Sequence, residues 1–343
     1  MGALKLEPGS FAWLLDHDLR LSRRRFASTF AGMSTTVKVV VLLHAVVIFH
    51  LLAWPVARWI GALEASGNRP GFLLLMAGGI LFVLPWMIAQ SLTSATRALY
   101  VRGDLDLLLS SPVSARSVLA SRAFVIVMET VGSVLIFLSP LVNMCASMGR
   151  PHWLAVYPTV IAGGFLAAAL GIGMAVGLFG LVGPRRTRLI SQILATFIGA
   201  IFLLGLQALS VVPPEVRRGL IAAIDAAAPG DAMNTAGALW LPVRAAMGDL
   251  AALGQWIVLA LSAFALAAST LGPKFATSVV LSSSAGAAVP AQSTVQGRTP
   301  FRFRTTLGTA IRLKEWRLLM RDPWLSSQLA LQIVYTLPVA VVL

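Results

Sequence analysis

Charge is scarce in this sequence. Of its 343 residues only 12% are Asp, Glu, Lys or Arg, and just 13 are acidic. A soluble domain carries roughly 25% charged residues, so there is too little charge here to cover a water-facing surface. Cysteine is nearly absent too: Cys145 stands alone, which excludes an internal disulfide. No Gly-rich phosphate loop ending in Lys-Ser/Thr occurs, so the chain has no ATP site of that kind. HExxH, CxxC and nucleophile-elbow patterns are also missing. The four histidines, His17, His44, His50 and His152, lack ligand spacing, and no metal site is expected. His44 and His50 are read as polar residues facing the bundle.

What fills the sequence instead is hydrocarbon: 57% of the residues are hydrophobic. Uninterrupted apolar runs long enough to cross about 30 Å of lipid recur along it. They predict an all-α membrane protein, a six-span helical bundle occupying residues 37–273, with spans at 37–59, 72–92, 119–148, 153–182, 190–212 and 256–271. Pro85 and Pro140 fall inside spans as candidate kinks. Ser114 is a suitable N-cap for the third span. The fourth is glycine-rich, and Gly173 and Gly177 form a small-xxx-small pair expected to let another helix approach. Residues 213–255 read as a long polar loop on the outer side. Asp225 and Asp231 in it are the best acidic pair for a membrane-embedded enzyme, a poor third to the transport readings below.

The net charge of +14 points to nucleic acid only until the charges are placed on the chain. Twenty of the 27 Lys and Arg residues lie on one side of the predicted spans and six on the other, with Lys38 at the edge of the first span. That split is the positive-inside pattern. It puts the N-terminus in the cytoplasm and leaves nucleic acid out as a partner.

Residues 1–36 precede the first span. In them Phe11, Leu14, Leu15, Leu19, Leu21 and Phe26 gather on one side of a helix, and Asp16, Arg20, Arg23 and Arg24 on the other. This is the pattern of a helix lying in the membrane interface, with Trp13 at headgroup level. Asp18 and Arg25 spoil its apolar arc. A related pattern returns 297 residues later, where Asp18-Leu19-Arg20-Leu21 and Arg24 match Glu315-Trp316-Arg317-Leu318 and Arg321. Residues 274–310 between read as a flexible cytoplasmic linker, uncharged in their middle. Residues 311–343 read as the start of a second repeat, a connecting helix and part of a seventh span. The expectation is one six-span unit followed by the beginning of another, the chain being a fragment of a longer one.

Two places carry candidate function. Glu129 is the one acidic residue well inside a predicted span. An intramembrane carboxylate is costly enough to raise a functional question by itself. It suits a proton site, a substrate contact or a structural partner of another helix, and the residues leave the three open. Asn143, Gln192 and Gln207 read as interhelical hydrogen-bonders. The second place is the loop 93–122, whose centre runs Gly103-Asp104-Leu105-Asp106-Leu107-Leu108-Leu109-Ser110-Ser111-Pro112-Val113. Leu105, Leu108 and Leu109 share one face of a helical turn. Pro112 pushes Ser111 out of the α region and ends the helix. An apolar helix of about two turns does not hold itself together in water, so it needs a partner surface, protein or lipid.

This segment, a glycine followed by an acidic-leucine run and a Pro-Val-Ser ending between the second and third spans, resembles a cytoplasmic signature of ABC-2-type permeases, the membrane subunits of ABC exporters. The connecting helix before the first span and the six-span unit resemble that family as well. The resemblance implies a coupling helix. Leu105, Leu108 and Leu109 would seat in a groove of a separate ABC ATPase, with Asp104 and Asp106 at its rim and Gly103, Pro112 and Val113 completing the motif. It implies no catalysis by this chain and no cofactor bound to it, with ATP-Mg carried by the partner subunit. It also implies a second permease half, in the same chain or as a dimer, and residence in the bacterial inner membrane among its lipids. The start of a second unit departs from the many family members that carry one. The alternative reading is a proton-coupled secondary transporter working through Glu129. The bundle's apolar interior suits a hydrophobic or amphiphilic cargo.

Overall fold

The structure, a computed structural model, describes residues 7–28, 30–100, 113–183, 190–198, 240–287 and 306–321, with 187, 215, 216, 218, 219, 329, 332 and 336. Among the described residues it is helical, with no strand. The helices are α1 (Phe11–Ser28), α2 (Thr35–Ala65), α3 (Arg69–Tyr100) and α4 (Ala115–Ser147). After a 3₁₀ turn (Pro151–Ala155) come α5 (Val156–Val182), α6 (Leu241–Ala246), α7 (Leu250–Ala287) and α8 (Leu307–Arg321).

Five of the described helical stretches are long and apolar enough to cross a membrane: Thr35–Ala65, Gly71–Ala98, Ser117–Ser147, Pro151–Val182 and Leu250–Leu271. The protein is therefore membrane-embedded. Each begins close to where the apolar run predicts. The span expected at 190–212 is described only over 190–198, which is helical; the rest of it lies outside the described residues.

Local chemistry explains the helix boundaries. Ser34 caps α2 by accepting from the Val37 amide at 3.3 Å. Ser114 caps α4 through the Ser117 amide at 3.1 Å, as its sequence position predicts. Gly183, with φ of 74°, ends α5. Pro55, Pro85 and Pro140 sit inside α2, α3 and α4 without ending them, as transmembrane helices tolerate.

Two expectations change. The stretch 274–310 is not a linker from its start, because α7 continues to Ala287; residues 288–305 lie outside the described set. Alanine, serine and valine without charge are compatible with a continuing helix, and composition alone mistakes them for a flexible tether. The outer loop 213–255 is not polar throughout either. It contains α6, whose Pro242, Val243, Ala245 and Ala246 are buried.

α5 is the centre of the bundle, packed by α3, α4 and α7. The main core joins Met87 and Leu92 of α3, Val118, Leu119, Val127, Val134 and Val142 of α4, and small residues of α5 such as Ala167, Ala168 and Ala175. A smaller cluster around Trp256 closes the α6–α7 side, where Trp256 Nε1 donates to the Thr159 carbonyl at 3.0 Å. α2 is the outlier. Only Ala53, Ala57, Ile60 and Gly61 of its residues are buried, all at or after residue 53, whereas its first half is exposed apart from half-buried Lys38, Ala45 and His50.

Candidate functional site

At one end of the bundle α1 is fastened to α4. Arg122 Nη1 donates to Asp18 Oδ1 at 2.7 Å, and both side chains are almost wholly buried, at 3% and 4% exposure. Leu14, one turn before Asp18, is buried in the same core. Asp18 is thus no blemish in an apolar arc: it lies on the docking face. Phe11 and Trp13 stay exposed, Trp13 stacked on His17. Gly9, at φ of 83°, brings the chain before α1 against Val113; a Cβ built there would stand 3.1 Å from Val113 Cγ2.

Of the expected coupling residues, Gly103, Asp104, Leu105, Asp106, Leu108, Leu109 and Pro112 lie outside the described residues. Val113 is described, half-buried and packed against the main core. The helices on either side of the segment are seated as well. Ala95 and Ala98 of α3 and Val118 and Leu119 of α4 belong to the core.

Deep in the bundle, hydroxyls join α3 to α4. Ser91 and Thr130 hydrogen-bond at 3.0 Å, and the Ser133 hydroxyl donates to Gln90 Oε1 at 2.9 Å. At Gly171 α5 lies against the backbone of α3. A Cβ there would lie 2.7 Å from the Leu92 backbone nitrogen and 2.8 Å from the Ser91 carbonyl carbon. The expected pair plays no such part among the described residues. A Cβ on Gly173 would reach only Leu271 Cδ1 at 4.0 Å, and one on Gly177 would meet nothing within 4 Å.

The intramembrane polar residues are also placed differently from expectation. Glu129, whose role the residues leave open, is exposed on α4. His44 is exposed and satisfies itself within α2, its Nδ1 lying 2.8 Å from the Val40 carbonyl. His50 Nδ1 is 2.8 Å from the Val46 carbonyl, which fixes that nitrogen as the donor and leaves Nε2 to accept from Asn143 Nδ2 at 3.5 Å. Tyr157 donates to Asn143 Oδ1 at 2.6 Å. Asn143 thus links α2, α4 and α5, the interhelical role its type suggests. Gln192 Oε1 is buried without a hydrogen bond, and Gln207, Asp225 and Asp231 lie outside the described residues. No group of three or more His, Cys, Asp or Glu side chains among the described residues is placed to hold a metal ion.

The opposite end carries a second ionic cluster, which sequence inspection missed because its members are far apart in the chain. Glu64 at the end of α2 receives Arg150 Nε at 3.2 Å and His152 Nε2 at 3.1 Å. The Arg150 guanidinium occupies the space a side chain at Gly61 would need. Beside it Asp249 pairs with Arg244, at 3.0 Å from Nε, and caps α7 by accepting the Ala251 and Ala252 amides, each at 3.0 Å. The Ala252 amide first, then Arg244, hold the Asp249 carboxyl below its ordinary range. A lowered folded pKa stabilises the fold above the unfolded value of about 3.9 and is lost as pH falls through the lower folded one. Asp249→Ala should therefore cost about 1 kcal/mol at neutral pH, the usual loss for a helix cap. The gap to wild type should narrow as pH falls below about 3.9; a gap that widened in acid would contradict this account.

α8 repeats the α1 pattern in a different setting. Where Leu14 and Asp18 are buried, the matched Ile311 and Glu315 are exposed, and Glu315 Oε1 has Lys314 Nζ at 3.7 Å.

No family model, curated protein or solved structure matches the chain.

Proposed function

We propose that the chain is the membrane-spanning permease subunit of an ATP-driven exporter of the ABC-2 type. In this reading it lies in the bacterial inner membrane with α1 on the cytoplasmic side, and a separate ATPase docks on the segment from Gly103 to Val113. The observation that carries the reading is the seating of that segment's flanks. α3 leads into it from buried Ala95 and Ala98. Val113, the Ser114 cap and the Asp18–Arg122 pair receive it on the α4 side. A push on a connection seated this way moves α3 and α4, the helices that flank central α5, instead of being absorbed by slack chain. The chain would itself catalyse nothing, ATP-Mg residing on the partner, and α8 would begin a second half that pairs with the first.

The test is affinity purification of the full-length protein. An ATPase carrying a Gly-rich phosphate loop should come with it. Leu108→Asp should abolish both the association and ATP-dependent transport while leaving the melting temperature of the bundle unchanged. Full ATP-dependent transport by that variant would end the coupling assignment. The second reading, a proton-coupled transporter, draws on the absence of any ion pair to Glu129 among the described residues. It requires instead that no ATPase co-purify and that transport follow a pH gradient that Glu129→Gln abolishes.

A further inference from the structure

Across one face of the bundle runs a row of aromatic rings: Phe49 of α2, Phe137 of α4, and Trp86 and Phe82 of α3. Successive centroids are 5.9, 6.0 and 5.5 Å apart. Phe137 touches α2 on one side and α3 on the other and is still 58% exposed. α4 is therefore the floor of an open groove, with α2 and α3 as its walls. Further along the floor come Ile136, exposed, and Glu129, exposed and seven residues earlier on the same face. Gly132 between them leaves a hollow, since a Cβ there would meet nothing within 4 Å.

The two ends of this groove differ in one decisive respect. At the far end His50, Asn143 and Tyr157 already satisfy one another. At the near end the Glu129 carboxylate has neither a hydrogen bond nor an ion pair among the described residues. It lies within the apolar stretch Ser117–Ser147 of α4, where an unpartnered carboxylate is costly. Lys38 is the basic residue of α2 nearest in level. The contacts Phe49–Phe137 and Gly61–Arg150 set the two helices in register, and no ion pair joins Lys38 to Glu129. A lysine so near a helix end reaches water by extending its stem. A second copy of the chain set symmetrically against this face would bring carboxylate towards carboxylate, which counts against self-association as the means of covering it.

We infer that the groove between α2, α3 and α4 binds an amphiphilic cation, its positive group at Glu129 and its apolar or aromatic body along Ile136 towards Phe137 and Trp86. The separation of Glu129 from Phe137, about 12 Å along the helix, sets the length of molecule that fits. Charge complementarity in a low-dielectric setting and ring-on-ring packing supply the recognition. The inference deepens the exporter reading by naming its substrate class, yet it needs no ATPase to be tested.

Rhodamine 6G, a cation with a flat aromatic body, is the probe, and anionic fluorescein, of similar xanthene shape, is its control. The full-length protein is placed in phosphatidylcholine nanodiscs, and binding is followed by fluorescence polarisation above the signal of empty discs. Rhodamine 6G should bind saturably and fluorescein should not. Glu129→Gln should weaken rhodamine binding about tenfold or more, and Phe137→Ala several-fold. Both variants should keep the wild-type elution volume and melting temperature, because neither side chain is buried in the core. Rhodamine binding that is unsaturable, or equal in Glu129→Gln, would overturn the inference. So would a wild-type dimer that Glu129→Gln dissociates and rhodamine leaves intact, since the groove would then be filled by a second copy. Failure of an ATPase to co-purify leaves these results untouched and counts only against the exporter reading.

Discussion

Arg122→Ala should cost the fold about 3–5 kcal/mol, the penalty for removing one partner of a buried ion pair. The intact pair contributes far less than that. Taking both groups out of water consumes most of their attraction, but deleting the guanidinium removes a cationic partner from an Asp18 carboxylate that water does not reach. Asp18→Ala should do comparable damage by taking the carboxylate away from the buried Arg122 guanidinium. The double replacement Asp18→Leu with Arg122→Met should recover most of the loss, since it puts an apolar contact in place of the buried pair. The consequence is local before it is global. α1 reaches the bundle through α4, so the single variants should first release α1 and open the connection 29–34 to protease. Thermal melting in detergent together with limited proteolysis reads both effects. Single variants that melt with wild type and keep α1 protected would show that the pair does not hold α1 in place.

That prediction rests on a contact the sequence displays only as an irregularity. Asp18 and Arg122 are 104 residues apart, and neither helix announces the other, so an acid in an apolar arc looks like a defect until its partner is seen. Where length and composition decide, the sequence is sufficient: lipid thickness converts apolar runs directly into helices, and Ser114 caps where its hydroxyl predicts. Direction around a helix axis is where the reading weakens. α5 is apolar on all sides, so no polar face shows which of its glycines meets α3, and Gly171, not Gly173 or Gly177, proves to be the crossing point. The same ambiguity turned His44 inwards on paper, although it lies on an exposed surface. The Glu64–Arg150–His152 cluster was hidden for another reason. It forms only when the end of α2 meets the α4–α5 turn, and neither segment carries a pattern that foretells the meeting.

Gly171→Ala is expected to destabilise the bundle by about 1–3 kcal/mol, the range for forcing an extra carbon into a filled interior, and Gly171→Leu to prevent its assembly. The added atom would press on the backbone of Ser91 and Leu92, and backbone cannot rotate away as a side chain can. α3 would have to move as a unit, and the hydroxyl pairs that tie it to α4, Ser91 with Thr130 and Ser133 with Gln90, would stretch with it. Thr130 is fully buried and has no water to turn to. Gly177→Ala adds the same carbon six residues further on, where nothing stands within 4 Å. It should be neutral or mildly favourable, since alanine holds a helix better than glycine. The comparison controls for composition, because both variants make one glycine-to-alanine change in one apolar helix. Equal melting temperatures for the two would mean that α3 and α5 do not cross at Gly171. A loss confined to Gly171→Ala would place a tight joint of the bundle between α3, which leads into the proposed coupling segment, and central α5.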